Sequence, residues 1–134
     1  MTEAELAFAF AEQAVKEATE LETPDLVLSS AKYAALECFP QAISEHKLLY
    51  RLYADRTQVT DLTPIASLTQ LKELWLQRTP IHDLSPLTGL LDLEELQLSE
   101  TNVVDLSPLR SLNSLERLTV NNTHVSSVAV LSEL

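Results

Sequence analysis

The chain carries one cysteine, Cys38, and three histidines, His46, His82 and His124. Nucleophilic catalysis needs such a group beside a positioned base. Metal binding needs ligand spacings such as CxxC or HExxH. Neither pattern occurs, and the single glycine, Gly89, rules out a glycine-rich phosphate loop. These residues predict no enzyme, no catalytic or metal site and no cofactor. Cys38, beside Phe39 in an apolar stretch, reads as a buried structural thiol. The chemistry that remains is recognition. Tyr53, Trp75 and Arg51 are of the types enriched where binding energy concentrates.

The frame that holds them is a repeat. The stretch LQRTPIHDLSPL, from Leu76 to Leu87, returns 22 residues later as LSETNVVDLSPL, from Leu98 to Leu109. Four copies of 22 residues start at Leu49, the last one shortened. Leu71, Leu74, Leu76, Ile81, Leu84, Leu87 and Leu90 recur as Leu93, Leu96, Leu98, Val103, Leu106, Leu109 and Leu112. The first copy supplies Leu49, Leu52, Ala54, Val59, Leu62, Ile65 and Leu68, and the fourth Leu115, Leu118, Val120, Val125, Val128, Leu131 and Leu134.

Residues two apart, such as Leu74 and Leu76, share one face of a strand. Residues three apart, such as Leu84, Leu87 and Leu90, suit a 3₁₀ turn. Each copy is therefore a coil with a short strand and a tight turn, whose apolar residues are buried only by stacking on its neighbours. Thr63-Pro64, Ser85-Pro86 and Ser107-Pro108 place a capping hydroxyl before a proline that already has the helical φ. Asp61, Asp83 and Asp105 stand two residues earlier, where a carboxylate meets free amides.

This pattern resembles leucine-rich repeats of the 22-residue type, as in bacterial internalin-like proteins and phosphatase-regulatory repeat proteins. The resemblance covers residues 48–134 and implies an α/β solenoid: a right-handed coil, a parallel sheet on the concave face, 3₁₀ turns on the convex face and a helical N-terminal cap. One departure is consistent. The family's usual Asn gives way to Thr57, Thr79, Thr101 and Thr123, whose hydroxyls are expected to bind backbone carbonyls.

Residues 1–47 lie outside the repeat and read as the helical cap, with residues 48–134 as four repeats of one continuous domain. Thr2 and Glu5 form a capping box, and Leu6, Phe10, Ala14, Ala18 and Leu21 form a stripe at helical spacing. Thr23-Pro24-Asp25 reads as the start of a second helix through Leu26, Ala31, Tyr33 and Leu36, ending before Pro40. The hairpin so formed covers the first coil. At the other end Ser127 and Ala129-Val130 replace the turn signal, and an uncapped terminal coil is expected. End-to-end association into a homo-oligomer through that C-terminal end is one expectation.

The outward strand residues form columns about 4.8 Å apart from copy to copy. One reads Tyr53, Trp75, Gln97, Thr119; another Arg51, Glu73, Glu95, Arg117; a third Asp55, Gln77, Ser99, Asn121. Flanking columns begin at Tyr50 and at Arg56, the latter leading to Arg78. The candidate partner-binding residues are Tyr50, Arg51, Tyr53, Asp55, Glu73, Trp75, Gln77, Arg78, Glu95 and Gln97. Arg51 with Glu73, and Glu95 with Arg117, are also candidates for cross-strand ion pairs, which are weak when exposed.

Charge narrows the partner. The net charge is −11, with −6 on residues 1–47 and −5 on residues 48–134. Acidity spread in this way argues against nucleic acid and anionic membrane, and favours encounter with a basic protein. The start is acidic, without the basic, apolar pattern of a secretory signal, and a cytoplasmic location is expected. With so little glycine, positive-φ positions should be scarce or served by Asn. The leading function is a protein–protein interaction module acting through the concave face. Narrower alternatives are a stoichiometric inhibitor, an immunity protein or antitoxin, of a basic toxin, and an assembly element using the uncapped coil.

Overall fold

The computed structural model describes residues 1–125. Helix α1 spans Glu3–Glu20, and five strands follow: β1 Asp25–Val27, β2 Arg51–Tyr53, β3 Glu73–Trp75, β4 Glu95–Gln97 and β5 Arg117–Thr119. They form one parallel sheet in chain order. The turns Thr63–Ile65, Ser85–Leu87 and Ser107–Leu109 are 3₁₀. The α/β solenoid expected from the repeat is thus present, with its N-terminal helix.

Register carries the repeat into three dimensions. Leu52, Leu74, Leu96 and Leu118 are successive Cα partners, so equivalent leucines stack. The repeat leucines, isoleucines and valines from Leu49 to Leu112 are buried in one continuous core, with Leu115, Leu118, Val120 and Val125 packed more loosely against it. Each fully buried aliphatic side chain adds about 1.5–3 kcal/mol of transfer energy. No single coil encloses its own leucines, so this stabilisation exists only in the stack.

The corners are held by threonine. Thr57, Thr79, Thr101 and Thr123 donate their hydroxyls to the carbonyls of Ala54, Leu76, Leu98 and Val120 at 2.9, 2.6, 2.7 and 2.8 Å. Of the two caps expected at the turns, only one forms. No Ser or Thr hydroxyl caps them. The cap is the aspartate: one carboxylate oxygen each of Asp61, Asp83 and Asp105 accepts the amide of Thr63, Ser85 and Ser107 at 2.9 Å. A charged acceptor two residues back reaches the free amide better than the hydroxyl of the same residue.

The glycine argument fails in an informative way. Besides Glu22 after α1, positive φ occurs in the repeats at Arg56, Arg78, Glu100 and Asn122, between 55° and 60°, and only the last is Asn. The four lie 22 positions apart, at one place in the repeat. The amides of the first three bridge to the next coil: Arg56 to Gln77 O, Arg78 to Ser99 O and Glu100 to Asn121 O, each at 2.9 Å. The ladder imposes the left-handed corner whatever side chain stands there.

The N-terminal segment departs most. The capping box of Thr2 and Glu5 forms as expected. The buried face of α1, however, is Ala7, Ala11, Val15 and Ala18, while Leu6, Phe10 and Leu21 are exposed. Small residues let the helix lie close to the first coil. The second helix is absent. Its place holds β1 and the 3₁₀ turn Ala31–Tyr33, and a 3₁₀ turn at Gln41–Glu45 follows Pro40. Leu26 and Leu28, two apart, are buried like Leu74 and Leu76. Asp25 pairs with Arg51, 26 positions on, where the next pair is Arg51 with Glu73, 22 apart. Pro24 stands just before β1, and its carbonyl accepts from both Tyr50 and Arg51. A proline there costs the ladder no donor. His46 is structural: buried, with Nε2 2.6 Å from Thr23 O, it ties this segment to the first full repeat. Cys38 is exposed rather than buried. Ser127, Ala129-Val130 and Leu131, on which the open-end expectation partly rests, lie outside the described residues.

Candidate functional site

Five short strands present two outward residues each, and the register aligns them in two lanes. The first is Asp25, Arg51, Glu73, Glu95, Arg117; the second is Val27, Tyr53, Trp75, Gln97, Thr119. The structure therefore brings together Arg51, Tyr53, Glu73, Trp75, Glu95 and Gln97. It adds Asp25 and Val27, which sequence reasoning assigned to a helix. The signal for them was the Leu26–Leu28 alternation.

The aromatic pair is locked. Tyr53 and Trp75 meet edge to face, with ring centroids 4.6 Å apart and planes at 62°. The Tyr53 hydroxyl donates to Glu73 Oε2 at 2.9 Å. Burial, reinforced by that bond, pushes the phenol up to about 12. The Trp75 N–H is sealed from water without a hydrogen bond of full geometry. It nevertheless lies close enough to Glu95 to help keep that carboxyl ionised. Val27, 53% exposed, continues the apolar side of this lane.

The charged lane is linked by arginines. Arg51 lies 2.8 Å from Asp25 and 3.5 Å from Glu73, and Arg117 lies 3.1 Å from Glu95. Gln97 Nε2 donates to Glu95 Oε1 at 2.9 Å. That bond first, then Arg117, holds the Glu95 carboxyl below the usual range, against the opposing effect of burial.

The other candidates sit at the margins. Asp55 is buried at the corner, 3.9 Å from Arg56 Nη1, and offers little to a partner. Gln77 is half-buried, with Oε1 sealed and unbonded. Arg78 is exposed on the left-handed corner and donates from Nε to Glu100 at 3.1 Å. Tyr50, 39% exposed, flanks the charged lane. His82 and His124 are exposed on the corner loops. Among the described residues no group of His, Cys, Asp and Glu could hold a metal ion, and no helix is long and apolar enough to cross a membrane.

No family model matches the sequence, and no curated protein matches it. Solved structures do. Internalin C2 from Listeria monocytogenes superposes with a TM-score of 0.67 at 27% identity, over 74% of this chain and 48% of that one. Another Listeria monocytogenes internalin, inlF, gives 0.72 at 27% identity, over 98% of this chain and 46% of that one. A leucine-rich-repeat protein from Leptospira interrogans gives 0.66 at 29% identity, over 75% and 27%. The chain thus matches less than half the length of each. Its 22-residue period, its parallel sheet with 3₁₀ turns and these likenesses agree: the chain is a leucine-rich-repeat protein with internalin-like repeats.

Proposed function

We propose that the sheet face is a protein-recognition surface and carries no catalysis. The observation behind this is the Tyr53–Trp75 pair: two large rings on an outward face, packed on each other at 4.6 Å, with the Tyr53 hydroxyl anchored on Glu73. Rings fixed before binding lose little freedom when a partner covers them. Val27 extends the apolar contact, and Arg51 and Glu95 border it with charge.

Area limits the partner. Five strands about 4.8 Å apart offer a few hundred Å², against about 800 Å² per side in a standard interface. The partner is an extended segment seated on the face, or a larger protein that also reaches the corner loops or α1.

The test is a Tyr53→Ala/Trp75→Ala double variant, compared with wild type in quantitative capture from lysate. Loss of the captured protein with an unchanged far-ultraviolet circular dichroism spectrum is the expected result. Retained capture sinks the assignment of this face.

A further inference from the structure

The charged lane lacks one positive charge. From β1 to β5 it runs Asp25, Arg51, Glu73, Glu95, Arg117. Arg51 stands between two acids and reaches both, and Arg117 closes the far end on Glu95. Between Glu73 and Glu95 there is no base. They are register partners on adjacent strands, about 4.8 Å apart. Like charges placed directly opposite destabilise a sheet. The lysine of the neighbouring column, Lys72, is engaged 3.1 Å from Glu94.

The two carboxylates are recessed, with side chains 25% and 12% exposed. Glu73 uses Oε2 for Tyr53 and Arg51, and among the described residues Oε1 receives no hydrogen bond. Trp75, two residues from Glu73 on the same face of β3, stands beside this gap in the aromatic lane.

We propose that a single lysine or arginine side chain of the partner completes the lane, its charge lodged between Glu73 and Glu95 and its stem against Trp75. This rests on the reading of the face as a protein-recognition surface. Two carboxylates attract the cation, the recess reduces screening by water, and an indole within about 6 Å adds a cation–π contribution. A neutral or acidic side chain leaves the lane, with three acids and two arginines, one positive charge short. Arg51 and Arg117 on either side repel further positive charge, so the lane selects one basic residue rather than a polybasic run. Val27 and Tyr53 then seat an apolar residue of the same segment.

A displayed random-hexapeptide library tests this. It is selected on immobilised wild type and counter-selected on Tyr53→Ala/Trp75→Ala. Trp75, the one tryptophan, reports binding of the selected peptides by its fluorescence. The expected peptides carry one Lys or Arg. Changing that residue to norleucine weakens binding ten-fold or more, as does Glu73→Gln/Glu95→Gln in the protein, whereas Lys72→Ala does not. Selected peptides without a basic residue, or equal binding by norleucine peptides, overturn the cation proposal while the face reading stands. If no peptide distinguishes wild type from the aromatic double variant, both fall.

Discussion

The Tyr53 hydroxyl donates across the strand to Glu73 at 2.9 Å, so the phenol of one repeat is read by the carboxylate of the next. Burial first and this bond second raise the Tyr53 pKa to about 12. A phenol raised in the fold keeps its proton where the unfolded chain has lost it. The resulting stability is present below about pH 10 and declines as pH rises through the folded value. Ultraviolet titration of wild type should show a late tyrosine that Tyr53→Phe removes. Glu73→Gln should lower its midpoint without restoring the ordinary value, because burial is the larger cause. A Tyr53 that titrates normally contradicts the packing of this pair.

Asp61, Asp83 and Asp105 are each pulled below the ordinary carboxylate range, Asp61 chiefly by the Thr63 hydroxyl and the other two chiefly by backbone amides. Their contribution is complete above the unfolded pKa and is lost as pH falls through the lower folded values. Thermal melts followed down to acid should therefore lose stability more steeply in wild type than in an Asp61→Asn/Asp83→Asn/Asp105→Asn variant. That variant should also melt earlier at neutral pH. Parallel curves would show that the turns do not depend on the charge.

The corner threonines are predicted to act through their hydroxyls. Thr79→Val keeps the shape but removes a buried bond to the Leu76 carbonyl of 2.6 Å. A loss of about 1–2 kcal/mol by urea unfolding is expected. The neighbouring Leu74→Ala, which opens a cavity in a fully buried stack, should cost about 2–5 kcal/mol. A Thr79→Val protein as stable as wild type would assign the corner to packing alone.

Arg56 sits at φ 60° without glycine's freedom. Asparagine tolerates this region better than arginine. Arg56→Asn should raise stability by a few tenths to about 1 kcal/mol, and Arg56→Val should lower it. The reverse order in chemical unfolding would contradict the left-handed corner.

How much was legible depended on range. The columns Arg51–Glu73–Glu95 and Tyr53–Trp75–Gln97 were readable because a strict period puts equivalent residues side by side. Asp25 and Val27 were not. Thr23-Pro24-Asp25 reads locally as a helix start, and only the open edge of β2 turns that stretch into a strand. The left-handed corners also escaped notice, since Arg, Arg and Glu carry no local signal for them.

The sequence by itself determined the repeat, the buried leucine stack and the threonine corners, because each is a period of 22 written in residue type. Tertiary structure alone decided that β1 extends the sheet and that Asp55 is buried while Cys38 is exposed. Those outcomes depend on which strand edge, helix face or charge arrives from a neighbouring coil, and such non-local free energies are written in no single stretch of the chain.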